Sequence, residues 1–234
     1  MDKLQKYKPT DKMIDLIGDN YSLLQVMSRF GLSLGFGDKT VKEVCEMNNV
    51  DCQTFLVVVN FMAEGFSRMD GSAVDISIPA LVDYLRQAHI YFLDYCLPAI
   101  RRKLIEAIDC SQDDVSFLIL KFFDGYMREV RKHMEYEEKT VFKYVDTLIH
   151  GNAPKNYQIS TFSKHHDQVG ERLTELKNII IKYCPAKANT NVLNAALFDI
   201  YACEEGLESH CKVEDYLFVP AILKLERRMR ENEK

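Results

Sequence analysis

Apolar residues along this chain recur three and four positions apart, the spacing of helices that bury one face. The first such window carries Met13, Ile14, Ile17, Tyr21, Leu24, Val26 and Met27, with Thr10 or Asp11 in front as a cap. Gly31-Leu-Ser-Leu-Gly-Phe-Gly37 breaks the pattern. Thr40 then opens a short helix, and Glu43 three residues on completes a capping box. Asp51 caps another helix, which carries Phe55, Leu56, Val59 and Met62. Val57-Val58-Val59 is the best strand-like run, but it is short and flanked by helix formers. Ser67–Asp75 reads as a linker. Residues 1–72 are therefore expected to form a small helical N-terminal domain.

Four long helical patterns follow. The first starts at Ser77 with Pro79 and runs through His89 towards Ile108, with a kink expected at Pro98. The second starts at Asp113 or Asp114 and runs through His133 and Glu137 to about Leu148, where Gly151-Asn-Ala-Pro154 ends it. The third runs from about Ser160 through His166 to Tyr183, stopped by Cys184-Pro185. The fourth runs from about Thr190 to Arg230 and is expected to bend at Pro220. Long helices joined by short connections predict an all-α fold, an up-and-down four-helix bundle over residues 73–234.

The polar positions on these stripes carry the chemistry. His133 and Glu137 stand one turn apart on the face marked by Phe123, Val130, Val141 and Leu148. Burying two such groups is costly unless they are paired or bind a metal. His210 and Glu214 repeat the pair. His89 precedes His133 by 44 residues, and His166 precedes His210 by 44. That repeat selects His166 over its neighbour His165 and points to a duplicated helix pair. Each long helix then supplies one histidine, and two add a carboxylate.

Four imidazoles and two bridging carboxylates suit a pair of metal ions, each with an open position: iron by preference, with manganese or zinc as alternatives. A ligating histidine also needs an orienting partner, for which Tyr126, Glu129, Asp167 and Cys211 are the candidates. Phe92, Phe122, Phe123, Phe142 and Phe218 read as bundle core, and His150 as a solvated helix end.

Composition removes several function classes. A net charge of −5 gives no electrostatic footprint for nucleic acid. No window reaches the roughly 20 apolar residues of a membrane helix, and the polar start MDKLQKYKPTDK has no signal-peptide core. Seven scattered cysteines without a C-x-x-C pair argue against a disulfide framework or a zinc ribbon. A cytoplasmic location is expected.

With these motifs in hand, the chain resembles the hemerythrin-like HHE cation-binding proteins. It is more narrowly similar to the di-iron family that repairs iron centres. The resemblance rests on His89, on HMEYEEKTVF, on His166-Asp167-Gln-Val-Gly170 and on His210…Glu214…Pro220. It covers about residues 77–234. It implies His89, His133, Glu137, His166, His210 and Glu214 as ligands of two non-haem irons.

The N-terminal VKEVCEMNNVDCQTFL is similar to the second half of that family's small helical domain. That domain typically carries a Cys-Cys pair in the preceding loop, where this chain has Leu32-Ser-Leu-Gly-Phe-Gly37; Lys143 stands where a proline is usual. The resemblance implies a nitrosative or oxidative stress role, with nitric oxide, oxygen or damaged iron–sulfur proteins as partners and a homodimer as one assembly. A non-catalytic sensor of oxygen or nitric oxide, and an iron store, are the alternatives. The sequence leaves open whether the protein is an enzyme.

Overall fold

The computed structural model describes residues 6–64, 76–108, 114–152, 157–164, 169–185 and 188–232. Among them the chain is all-α, with no strand and one isolated bridge between Lys12 and Thr40. The expected linker Ser67–Asp75 lies outside the described residues, as does the expected domain boundary at residue 72.

The N-terminal helices are α1 (Met13–Asp19), α2 (Leu23–Arg29), α3 (Val41–Met47) and α4 (Cys52–Glu64). The single first helix expected from the apolar pattern is two. The Asn20 side chain accepts from the backbone N–H and the hydroxyl of Ser22, a local turn that competes with the helix ladder. The faces shift with it: Met13, Leu16, Leu23, Val26 and Met27 are buried, whereas Ile14, Tyr21 and Leu24 are exposed. No side chain caps α1, because Asp11 accepts from the Lys8 N–H instead. The Thr40–Glu43 capping box is present, and Asp51 accepts from the Thr54 N–H at 2.7 Å. Val57, Val58 and Val59 are buried within α4.

The long rods follow. They are α5 (Ile78–Ile90), a π-helical turn Tyr91–Cys96 and α6 (Leu97–Ala107); then α7 (Asp114–Tyr136), a π-turn Glu137–Val141 and α8 (Phe142–Ile149). A 3-10 turn Ile159–Lys164 precedes α9 (Val169–Tyr183), so that rod starts later than its apolar pattern suggested. Last come α10 (Thr190–Val213), a π-turn Glu214–Phe218 and α11 (Val219–Asn232). The kinks expected at Pro98 and Pro220 are π-turns that end two residues before each proline. A proline has no N–H for the carbonyl four residues back, and the ladder opens there.

The chain divides into two compact units. One holds Met1–Ala88 with Lys212–Lys234, the other His89–Cys211. In the first, Asn60 accepts from the buried Tyr7 N–H at 2.8 Å and donates to the Tyr7 carbonyl at 3.0 Å. Phe30 packs against Phe55 and Tyr84, and Phe61 against Tyr216. Asn60→Ala would leave two buried backbone groups without partners. It is expected to cost about 2–4 kcal/mol, read from urea midpoints.

In the second unit the rods are joined by side-chain pairs, and α6 runs antiparallel to both α7 and α10. Arg101 reaches Asp124 at 2.6 Å, while His89, twelve positions earlier, meets Glu137. Arg172 pairs with Glu129 and lies over Phe122. Lys177 pairs with Glu204. Lys103 reaches Asp199 at 2.6 Å, and the Asn189 N–H donates to the Ala107 carbonyl at 2.8 Å. Its core holds Phe92, Leu97, Ile100, Leu104, Ile119, Phe123, Val130 and Phe142.

Candidate metal centre

The stripe of α7 runs Ser116, Ile119, Phe123, Tyr126, Val130 and Met134, all buried, and Glu137 continues it. A carboxylate on that stripe has no route to water. It is fully buried, and its two oxygens face two imidazoles. His89 Nε2 lies 2.8 Å from Oε2, and His133 Nε2 lies 2.8 Å from Oε1. Burial raises the Glu137 carboxyl, but hydrogen bonds from His133 and His89 outweigh it and hold the group well below the usual carboxylate range. For His89 burial acts downward, while the bonds to Glu137 and Glu138 prevail and raise the imidazole.

These shifts fix the sign of a pH effect on the metal-free chain. The depressed Glu137 contributes stability above the ordinary carboxylate range, lost as pH falls through its folded value. The raised His89 contributes stability that is lost as pH rises through its folded value. Thermal melting of the metal-free chain is therefore expected to be highest between the two and to fall on either side.

His210 joins them. Its ring is buried and lies 5.1 Å from the His89 ring, nearly edge-on, with Phe92 6.1 Å away on another side. His89, Glu137 and His210 each offer a ligand atom within 4.8 Å of the others. Phe142 stacks on His89 at 5.5 Å, with the planes 10° apart. His133 is half-buried at the edge of the cluster. Glu214 stands one turn beyond His210 and its carboxylate is fully buried. His165, His166 and Asp167 lie outside the described residues.

This donor set fits a metal. Imidazole nitrogens and carboxylate oxygens sit together with almost no solvent, a polar core that a divalent cation neutralises.

The π-turns are part of the construction. Tyr91–Cys96 begins two residues after His89, whereas Glu137–Val141 and Glu214–Phe218 begin on the two glutamates. The latter two are 77 residues apart, the spacing of His133 and His210. A π-turn holds an extra residue and shifts everything after it, and such turns gather at functional sites. Lys143 stands where the other two rods have Pro98 and Pro220, yet its rod opens into a π-turn as well.

A profile of the hemerythrin HHE cation binding domain matches residues 80–222. The chain belongs to this hemerythrin HHE family. A comparison with curated proteins finds no match. The hemerythrin match leaves residues 1–79 outside it. Within the described residues no helix is long and apolar enough to cross a membrane.

The other expected neighbours fall in different places. Tyr126 is buried, and no described residue partners its hydroxyl. Burial, followed by the nearby Cys203 and Cys211, pushes its phenol up. Glu129 is exposed and pairs with Arg172 rather than with a described histidine. Cys211 is half-buried. Phe122 is only half-buried, under the Arg172 guanidinium, and is not core. His150 is exposed, as expected. One residue that the sequence reading passed over is Glu138, whose carboxylate lies 2.9 Å from His89 Nδ1.

Proposed function

We propose that this hemerythrin-family chain holds two iron ions between His89, His133, His166, His210, Glu137 and Glu214. We assign the pair to the nitrosative and oxidative stress response. There it handles nitric oxide or reactive oxygen, or helps restore damaged iron–sulfur centres. The observation that carries this reading is the Glu137 carboxylate, fully buried with one imidazole on each oxygen. Glu137 would hold metal there together with the histidines around it. Iron bound at this place would supply a binding position for a small diatomic ligand and, when reduced, electrons for it.

The chain's own residues set the terms. Phe92, Phe142 and the buried stripe of α7 shut out bulk water. Glu137 balances charge, and the packed rings hold the imidazoles in place. A reducing, cytoplasmic setting is supported by scattered cysteines that form no C-x-x-C pair.

A second reading rests on Leu32–Gly37, which holds no cysteine where the resembling repair family has a Cys-Cys pair. Thiols for iron transfer are missing from that loop, which favours a non-catalytic sensor of oxygen or nitric oxide. Turnover separates the two. Protein loaded with ferrous iron is mixed with excess nitric oxide or hydrogen peroxide under a reductant. Consumption of many equivalents per chain supports the enzymatic reading. A single equivalent bound, with a spectral change and no further consumption, would replace it with the sensor.

A further inference from the structure

We propose that Glu138 is a positioning residue for His89, fixing the proton on Nδ1 so that Nε2 faces the metal. The inference rests on the metal-binding reading above and assigns a residue that the ligand pattern does not include. His89 is 3% exposed, and both of its nitrogens are engaged by consecutive residues of one π-turn. Glu138 Oε1 lies 2.9 Å from Nδ1, and Glu137 Oε2 lies 2.8 Å from Nε2. An ionised carboxylate only accepts hydrogen bonds, so in the metal-free chain each His89 nitrogen faces an acceptor, Glu138 at Nδ1 and Glu137 at Nε2. An imidazole that ligates through one nitrogen keeps its single hydrogen on the other. A metal in the His89–Glu137–His210 cluster would take the Nε2 lone pair, and Glu138 would then hold the hydrogen on Nδ1.

The two carboxylates differ in a way that separates their roles. Glu137 is fully buried among the imidazoles, whereas the Glu138 side chain is 36% exposed and stands behind the ring, away from the cluster. Consecutive residues on a regular α-helix point about 100° apart, yet here both bracket one ring. The π-turn that starts at Glu137 accompanies that geometry. Phe142, stacked on the same ring, fixes its plane but cannot choose its tautomer. A carboxylate that holds the far nitrogen of a ligating histidine orients the ring and raises its basicity; loss of such a partner typically weakens metal binding about 10- to 100-fold.

The test uses the full-length chain and its Glu138→Ala, Glu138→Gln and Glu138→Asp variants. Cobalt(II) is titrated as a visible-absorbing probe, and the His89 Nδ1–H of the metal-free proteins is followed by 15N NMR. Wild type is expected to show a hydrogen-bonded Nδ1–H. Glu138→Ala is expected to lose that signal and bind cobalt roughly 10- to 100-fold more weakly. Glu138→Gln should keep part of the affinity, since its amide oxygen still accepts, and Glu138→Asp should recover part of it.

A hydrogen-bonded Nδ1–H and full affinity in Glu138→Ala would overturn the proposal. So would weaker binding with the Nδ1–H signal unmoved, which would mark a structural role. If wild type binds no cobalt, the metal reading fails. The NMR comparison still decides whether Glu138 holds the His89 Nδ1 hydrogen.

Discussion

Glu137→Ala is expected to abolish the metal binding proposed for this site and to destabilise the metal-free chain by about 3–5 kcal/mol. The size follows from what remains. The change strips the acceptor from His89 Nε2 and His133 Nε2 at once, in a place with almost no solvent. The buried His89 is then left with Glu138 alone, half-buried His133 loses its contact to Glu137, and the largest of the bonds that raise the His89 imidazole is gone. Glu137→Gln separates the two effects. The amide keeps the volume and one oxygen, so most of the fold's stability should survive. It cannot bridge as a carboxylate, so the metal should still be lost. Chemical denaturation of metal-free protein reads the first effect and metal analysis reads the second. Wild-type metal content in Glu137→Gln would contradict the role given to this carboxylate.

Phe142→Ala is expected to destabilise the fold by a similar amount, about 3–5 kcal/mol, through packing alone. The ring is 1% exposed and covers the face of His89. Its loss leaves a cavity beside the site, where the first turn of α8 follows a π-turn and has little freedom to collapse inward. Against a total stability of about 5–15 kcal/mol for a domain, this takes a large share. Phe142→Leu, which refills most of the volume, should cost under about 1.5 kcal/mol. A change below about 1 kcal/mol for the alanine variant in urea midpoints would show that the ring is not the packing element described here.

The rods and the site differ in how far the sequence revealed them, and the reason is periodicity. The α7 stripe at Ile119, Phe123, Tyr126 and Val130 follows the helical repeat directly, so its buried face could be read from residue types alone. The His-x-x-x-Glu pairs were legible for the same reason, because two ionisable groups on such a stripe stand out. The division of the first helix was not, since Asn20 and Ser22 form their turn through side-chain hydrogen bonds that leave the apolar spacing intact.

The π-turns were half-legible. Pro98 and Pro220 announced a break but not its kind, and nothing at Lys143 announced the third. Glu138 escaped notice for a related cause. A residue next to a ligand should point well away from it on a regular helix, and only the observed backbone brings it to His89 Nδ1. Glu129, one turn from His133 on a helical wheel, meets Arg172 of the adjacent rod, a partner that helical spacing does not disclose.

The most direct measurement is the metal content of the full-length protein purified without oxygen, together with its optical spectrum before and after exposure to oxygen or nitric oxide. Two irons per chain and a visible band that changes with the added ligand are expected. Zinc alone, or a chain that retains no metal, would contradict the two-iron reading.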